Sequence, residues 1–108
     1  MNIKKLNVKS VKIKKNYGVA LDSVITRNSE IDATDLDGEV VMMNLDKGQY
    51  FMMNQVGSRI WEIIGEPIKV SKVIDTLLGE FEVEGKECEE TVVEFLGKLK
   101  YAELISAS

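Results

Sequence analysis

The sequence contains no histidine, and this absence excludes a large group of reaction mechanisms. An imidazole is the usual general base beside a serine or cysteine nucleophile, so Ser–His and Cys–His catalysis are ruled out. The single cysteine, Cys88, excludes an internal disulfide and fits a reducing cytoplasm. One cysteine and no histidine cannot supply the ligands of an ordinary zinc site, so such sites are excluded as well. The composition therefore predicts a cytoplasmic binding module that is not an enzyme and uses no metal or cofactor.

Long hydrophobic runs are missing as well. The longest are short, such as residues 40–43, and fall far below the roughly 18 residues that suggest a membrane helix. The N-terminus shows no signal peptide, because its lysines are not followed by an apolar segment. What is present is a chain of 108 residues, 44% hydrophobic and 30% charged, which predicts one soluble domain and no membrane partner.

Charge is unevenly distributed along the chain. The first 21 residues hold six lysines and no acidic residue, and all 18 acidic residues follow them. We therefore expect a basic N-terminal arm or strand at 1–21 and a single domain at 22–108. The arm either meets an acidic partner, nucleic acid or peptide, or forms a solvated edge strand whose lysines oppose aggregation. The alternation at residues 11–14 favours the edge strand.

The order of the elements indicates an α+β domain, with strands over residues 22–54 and helices over 55–105. Asp37-Gly38 and Asp46-Lys47-Gly48 mark two turns, which separate three strands of an antiparallel meander. The second and third strands cover Glu39–Asn44 and Gln49–Met53. The pairing register of the strands stays open, because a four-residue loop and a bulged turn would give registers of opposite parity, which pair residues from opposite faces of the strand.

Three helices are predicted after the sheet. Asn54 and Ser71 are suitable N-caps for the first two, and the third is expected from about Lys86 to Ala102. Apolar residues at helical spacing should face the core, and they are Val56, Ile60, Ile63, Ile64, Trp61, Val73, Ile74, Leu77, Leu78, Val92, Phe95, Leu96 and Leu99. The predicted fold is thus winged helix-turn-helix-like, a three-stranded antiparallel sheet followed by three helices.

Both faces of the second and third strands are apolar. Residues 40–43 and 50–53 contain no polar side chain except the Tyr50 hydroxyl. A strand in a sheet with one solvent-exposed face alternates apolar and polar residues instead. The second apolar face therefore needs a cover. A docked peptide, the N-terminal arm and a dimer partner are three alternatives.

One stretch of the chain resembles a known family. An acidic-x-Gly turn, an aromatic pair and an Asn-x-x-Gly-x-x-Ile-Trp helix start follow one another at Asp46, Gly48, Tyr50, Phe51, Asn54, Gly57, Ile60 and Trp61. This order resembles the PqqD-like family, small domains that recognise leader peptides of ribosomally made, modified peptides. The resemblance covers about residues 30–105 and, with Trp61, looks more like the lasso-peptide members. Met53, Thr91 and Glu103 depart from the family pattern.

The resemblance implies that a leader peptide adds to the outer edge of the third strand and packs against the third helix. The expected peptide-binding residues are Gln49, Tyr50, Phe51, Met52 and Met53 on the strand and Glu94, Phe95, Lys98 and Tyr101 on the helix. The implied partners are a precursor peptide and a modifying enzyme or leader peptidase. The open edge is compatible with a monomer or an edge-strand dimer.

The sequence disfavours two other classes of function. A winged helix suggests DNA binding, but the third helix begins with Glu87, Glu89 and Glu90, which would repel phosphates. Nucleic acid is thus a disfavoured partner. An enzyme is disfavoured too, since the sequence has no phosphate loop, metal cluster or nucleophile–base pair.

Overall fold

The computed structural model describes residues 17–44 and 48–108. Most of the predicted basic arm, residues 1–16, and Asp46-Lys47 of the second turn lie outside the described residues. The elements in chain order are β1 (Val24–Arg27), β2 (Asp32–Leu36), β3 (Glu39–Asn44), β4 (Gln49–Met53), α1 (Gln55–Ile63), β5 (Ile68–Lys69), α2 (Val70–Glu80), α3 (Gly85–Tyr101) and β6 (Ile105–Ala107). The α+β class, with a three-stranded antiparallel sheet and three helices, is confirmed.

The predicted meander is the sheet β2-β3-β4, with antiparallel neighbours throughout. Asp37 (φ 56°) and Gly38 (φ 84°) both have positive φ, the combination that a two-residue type I′ hairpin turn requires. The register that the sequence left open places Val40 opposite Met53 and Met43 opposite Tyr50.

A second three-stranded sheet, β5-β1-β6, was not predicted. Its strands β5 and β6 contain two and three residues, too few to show a period of two. Ile25 of β1 pairs with Ile68 on one side and Ala107 on the other. This sheet joins the start of the domain to its C-terminal residues.

The helix starts show one confirmed and one wrong prediction. Asn54 caps α1, because its side-chain oxygen accepts a hydrogen bond from the Gly57 amide at 2.9 Å. The Ser71 cap is wrong, since α2 begins at Val70 directly after β5. The amides of Val70 and Ser71 donate instead to the carbonyls of Ser23 and Leu21, both at 3.0 Å, so no side-chain cap is needed.

The core contains the helical stripes that the spacing predicted. Val92, Phe95, Leu96 and Leu99 of α3 are buried together with Ile60 and Trp61 of α1 and Val73, Ile74 and Leu77 of α2. Leu78 is the exception, exposed at 39%. Val19 is also buried, although it belongs to the segment predicted as a basic arm. No helix in the described part of the chain is long and apolar enough to cross a membrane.

Candidate peptide-binding site

The two edges of the sheet β2-β3-β4 differ in charge. The β2 edge carries Asp32 and Asp35, and all five residues of β2 are exposed. The β4 edge, residues 49–53, carries no charge, and among the described residues β4 pairs with β3 alone. Charged side chains on an edge strand oppose pairing with a further strand. The β4 edge is therefore the one able to accept a peptide strand.

The hairpin geometry fixes which backbone groups of β4 point outward. The residues flanking the turn at Asp37-Gly38 form a hydrogen-bonded pair, so Val40, one position further, directs its amide and carbonyl toward β4. Its partner Met53 directs the same groups back toward β3. Because the direction alternates along a strand, Tyr50 and Met52 present their amides and carbonyls at the open edge.

A buried hydroxyl holds the end of β4 in place. The Ser58 Oγ accepts a hydrogen bond from the Val40 amide at 2.8 Å and donates to the Met53 carbonyl at 3.4 Å. Ser58 lies in α1 and is only 7% exposed. It therefore ties the last residues of the β3–β4 pair to α1. Sequence reasoning missed it, because a serine in the first turns of a helix is an ordinary surface residue.

The side chains of β4 divide between the core and the outer face. Phe51 and Met53 are buried beside Val40 and Met42 of β3, so their contribution to a peptide site is through the backbone and the core. Tyr50 is 65% exposed and Met52 is half-buried on the outer face, and Gln49 is exposed at the strand start. The outer face continues onto β3 with Val41 and Met43. The prediction of two apolar faces is thus confirmed.

The helix α3 comes close to the end of β4 at Gly57. Within the described chain, β4 packs on β3 and α1 and has no comparable contact along α3. The two elements converge at Gly57, where an added methyl group would lie 3.1 Å from the Met53 Cβ and 3.1 Å from the Phe95 Cζ. Phe95 itself is buried, at 1% exposure. Gly57 is thus the point at which the end of β4 and Phe95 of α3 come together in the core.

The other predicted residues of α3 lie on one side of the helix. The Lys98 Nζ is 3.7 Å from the Glu94 Oε1, and the Lys98 side chain is only 11% exposed, against 46% for Glu94. Tyr101 is exposed and forms an edge-to-face pair with Tyr17, with ring centroids 5.2 Å apart. The contacts of the described residues thus bring Phe95 to the end of β4 and place Tyr101 beside the segment that precedes β1.

Trp61 is held by a contact that the sequence did not reveal. The Arg27 guanidinium lies 4.5 Å from the centre of the Trp61 ring and donates hydrogen bonds to the Trp61 carbonyl, one of them from Nε at 3.0 Å. Burial lowers the pKa of Arg27, and the nearby Glu62 carboxylate opposes that shift. Trp61 is 5% exposed, so it belongs to the core.

Reactive groups are scarce in the described residues. Cys88 is buried, and burial raises the pKa of its thiol, with a smaller effect in the same direction from Glu87. The sequence indicated only the effect of the acidic neighbours. In residues 17–44 and 48–108, no group of three or more cysteine, aspartate and glutamate side chains is arranged to hold a metal ion.

These features define a class of protein, a small winged-helix-like α+β domain that keeps one uncharged sheet edge open beside a helix. The chain belongs to the PqqD family, because the sequence profile described as "Coenzyme PQQ synthesis protein D (PqqD)" matches residues 39–105, more than half of the chain. The resemblance seen in the sequence is thereby confirmed.

Two solved structures are similar to this chain. TbiB1, solved in complex with the TbiA(β) leader peptide, is 30% identical and has a TM-score of 0.71, with 75% of this chain and 94% of TbiB1 aligned. A lasso peptide synthetase B1 complexed with its leader peptide is 21% identical, with a TM-score of 0.69 over 76% of this chain and 96% of the other. The latter shows the fold alone. No curated protein sequence gave a significant match. None of these findings supports DNA binding.

Proposed function

We propose that this chain is a non-catalytic module that binds the leader of a precursor peptide by β-strand addition at β4. The observation that carries the proposal is the uncharged edge of β4, where Tyr50 and Met52 direct their amides and carbonyls outward. The opposite edge of the same sheet is protected by Asp32 and Asp35. The related TbiB1, which was solved with a leader peptide, supports the same function for this chain.

The backbone and the side chains have different roles in this proposal. Two amides and two carbonyls of β4, those of Tyr50 and Met52, pair with the added strand and supply affinity for any extended peptide. Alternate side chains of that strand then point either to the outer face beside Tyr50 and Met52 or to the opposite face, toward α3. On that side we expect the buried Phe95 to support the peptide from the core and the Glu94–Lys98 pair to supply charged groups. Specificity comes from these two surfaces.

The module acts by raising the effective concentration of the precursor. A leader held on β4 keeps the attached core peptide near a modifying enzyme or leader peptidase, so the following step becomes nearly intramolecular. The open edge is compatible with a monomer that pairs with leader or with an edge-strand dimer that the leader displaces. The buried, unpaired Cys88 is compatible with the predicted cytoplasmic location.

Fluorescence anisotropy tests the proposal against the DNA-binding alternative. The labelled ligands are a synthetic leader peptide, taken from a short precursor reading frame identified by inspection of the genomic neighbourhood, and a duplex DNA with the same label. We expect saturable binding of the leader and none of the duplex at physiological salt, because the exposed start of α3 carries Glu89 and Glu90. Saturable, salt-dependent binding of the duplex without binding of the leader contradicts the proposal.

A further inference from the structure

A cavity of about 650 Å³ opens between the end of α3, the strand β6 and the segment that precedes β1. None of its lining residues belongs to β4, so the cavity is separate from the proposed leader edge. The lining combines two aromatic rings, two cationic side chains and the backbone of β6, supplied by Tyr17, Tyr101, Arg27, Lys100, Ile105 and Ala107. These are the groups that recognise a polypeptide, and the proposed function uses none of them.

The strand β6 presents an open backbone edge at this cavity. Val24 of β1 and Ser108 exchange two backbone hydrogen bonds, of 2.9 and 3.1 Å. Because the direction alternates along an antiparallel strand, Ala107 and Ile105 direct their amides and carbonyls away from β1. Among the described residues β6 pairs with β1 alone, and its three side chains carry no charge. This edge is therefore able to accept an extended peptide.

Two exposed tyrosine rings stand beside that edge. Tyr17 and Tyr101 pack edge to face, and the Lys100 Nζ lies 5.9 Å from the centre of the Tyr17 ring. Tyr17 has a positive φ of 52°, a conformation that residues other than glycine rarely adopt, and strained residues of this kind concentrate at binding sites. The rings offer apolar surface to a ligand that lies along β6.

The cationic side chains at the cavity belong to a chain of net charge −4. Arg27 and Lys100 line the cavity together with the acidic Glu103. Lys100 forms no ion pair with any residue that the structure describes. In the sequence, the six lysines of residues 4–15 come shortly before Tyr17, with no acidic residue among them. This excess of positive charge favours an acidic ligand over a basic one.

We propose that this cavity is a second peptide-binding site, which takes an extended acidic segment of a partner protein as an additional strand on β6. Ile105 and Ala107 pair with the backbone of that segment, and Lys100 binds one of its carboxylates. The inference goes beyond the proposed function and does not depend on it, because β4 takes no part in this site. A module with both sites holds a leader and a partner protein at the same time.

A nuclear magnetic resonance titration of the full isotope-labelled chain tests the site. The probe is a short synthetic peptide in which glutamate alternates with valine, and its control has glutamine in place of glutamate. We expect the acidic peptide to shift the amide resonances of Lys100 and Ala107 saturably and to leave those of Tyr50 and Met52 unchanged. The glutamine peptide should bind more weakly, and added salt should reduce the difference between the two peptides.

Two variants separate the charge from the backbone pairing. Lys100→Gln should weaken binding of the acidic peptide about twofold to fivefold at low salt, as expected for an exposed ion pair. Lys86→Gln, which changes an exposed lysine at the other end of α3, is the matched control and should have no effect. Ala107→Pro removes an outward amide and places a ring at the edge, so it should weaken binding about fivefold or more. Thermal melts report the folding of each variant.

Other outcomes overturn the inference. They are the absence of shifts around the cavity, shifts at β4 instead, or equal affinity losses in Lys100→Gln and Lys86→Gln. Tighter binding of a single-stranded oligothymidylate than of the peptide would assign the surface to nucleic acid and also overturns it. The lysine comparison decides the question even if Ala107→Pro does not fold. Leader binding at β4 is measured separately, so a failure of this inference is distinguishable from a failure of the proposed function.

Discussion

The substitution Met52→Pro tests the outward direction of the β4 backbone. Proline has no amide hydrogen, and its ring occupies the space that a partner strand would approach. The Met52 amide points to the open edge and not to β3, so the existing β3–β4 bonds remain. Proline is tolerated at such edge positions. We therefore expect a folded protein with impaired leader binding.

The expected magnitude follows from the hydrogen bonds that are lost. One backbone hydrogen bond contributes about 0.5–1.5 kcal/mol net. The proline removes one donor, and its ring also prevents the neighbouring hydrogen bond. Two hydrogen bonds to the leader are then lost, which weakens the binding free energy by about 1–3 kcal/mol. This corresponds to a leader affinity about 5- to 150-fold weaker.

Two control variants make the assay decisive. Ala33→Pro places the same residue at an outward position of the opposite edge, on β2, and should leave the leader affinity unchanged. Phe51→Pro removes an amide that pairs with β3 and should lower the melting temperature. Anisotropy gives the affinities and thermal melts followed by circular dichroism give the stabilities. A folded Met52→Pro variant that binds leader as tightly as the wild type would refute the reasoning, as would equal losses in Met52→Pro and Ala33→Pro.

Three further substitutions test the core, a surface ion pair and the charged side of α3. Trp61→Ala should lower the free energy of unfolding by about 3–5 kcal/mol in thermal or urea melts without changing the leader affinity of the folded protein; a normal melt with poor binding would place Trp61 in the site. Arg59 donates a hydrogen bond to Glu80 and lowers the pKa of the Glu80 carboxyl group. The pair therefore stabilises the fold at pH values above the ordinary glutamate pKa, and this contribution is lost as the pH falls through the lowered pKa. Glu80→Gln should thus be less stable than the wild type in melts at neutral pH, and the difference should vanish in strong acid; a difference that persists there contradicts the assignment. If Lys98 meets an acidic leader residue, Lys98→Gln should weaken binding about fivefold at low salt and less at high salt, and an equal salt dependence of both proteins excludes that contact.

Local sequence signals predicted much of the fold. Asn54 caps α1 as expected, and Asp37-Gly38 forms the tight turn between β2 and β3. Both signals depend on a residue and its immediate neighbours in the chain, which is why they are legible in one sequence. The uncharged third strand and its two apolar faces were visible for the same reason, and the resemblance then gave them a function.

Features that depend on distant contacts were not predictable. Serine is a common N-cap, which is why the sequence predicts one at Ser71, but the Ser23 and Leu21 carbonyls already accept the amides at the start of α2. The strand β6 has three residues and forms only because β1 lies beside it. The close packing around Gly57 involves Phe95 and Met53, which lie on other elements, so the sequence alone did not show it.

Amide hydrogen exchange at β4, with and without leader peptide, tests the account most directly. In the free protein, the Tyr50 and Met52 amides should exchange rapidly because they point to the open edge, while the Phe51 amide is protected by β3. Saturating leader should slow exchange at Tyr50 and Met52 and leave the outward amide of Ala33, on the opposite edge, unchanged. Leader binding that leaves the Tyr50 and Met52 amides in rapid exchange would show that the peptide does not add to β4.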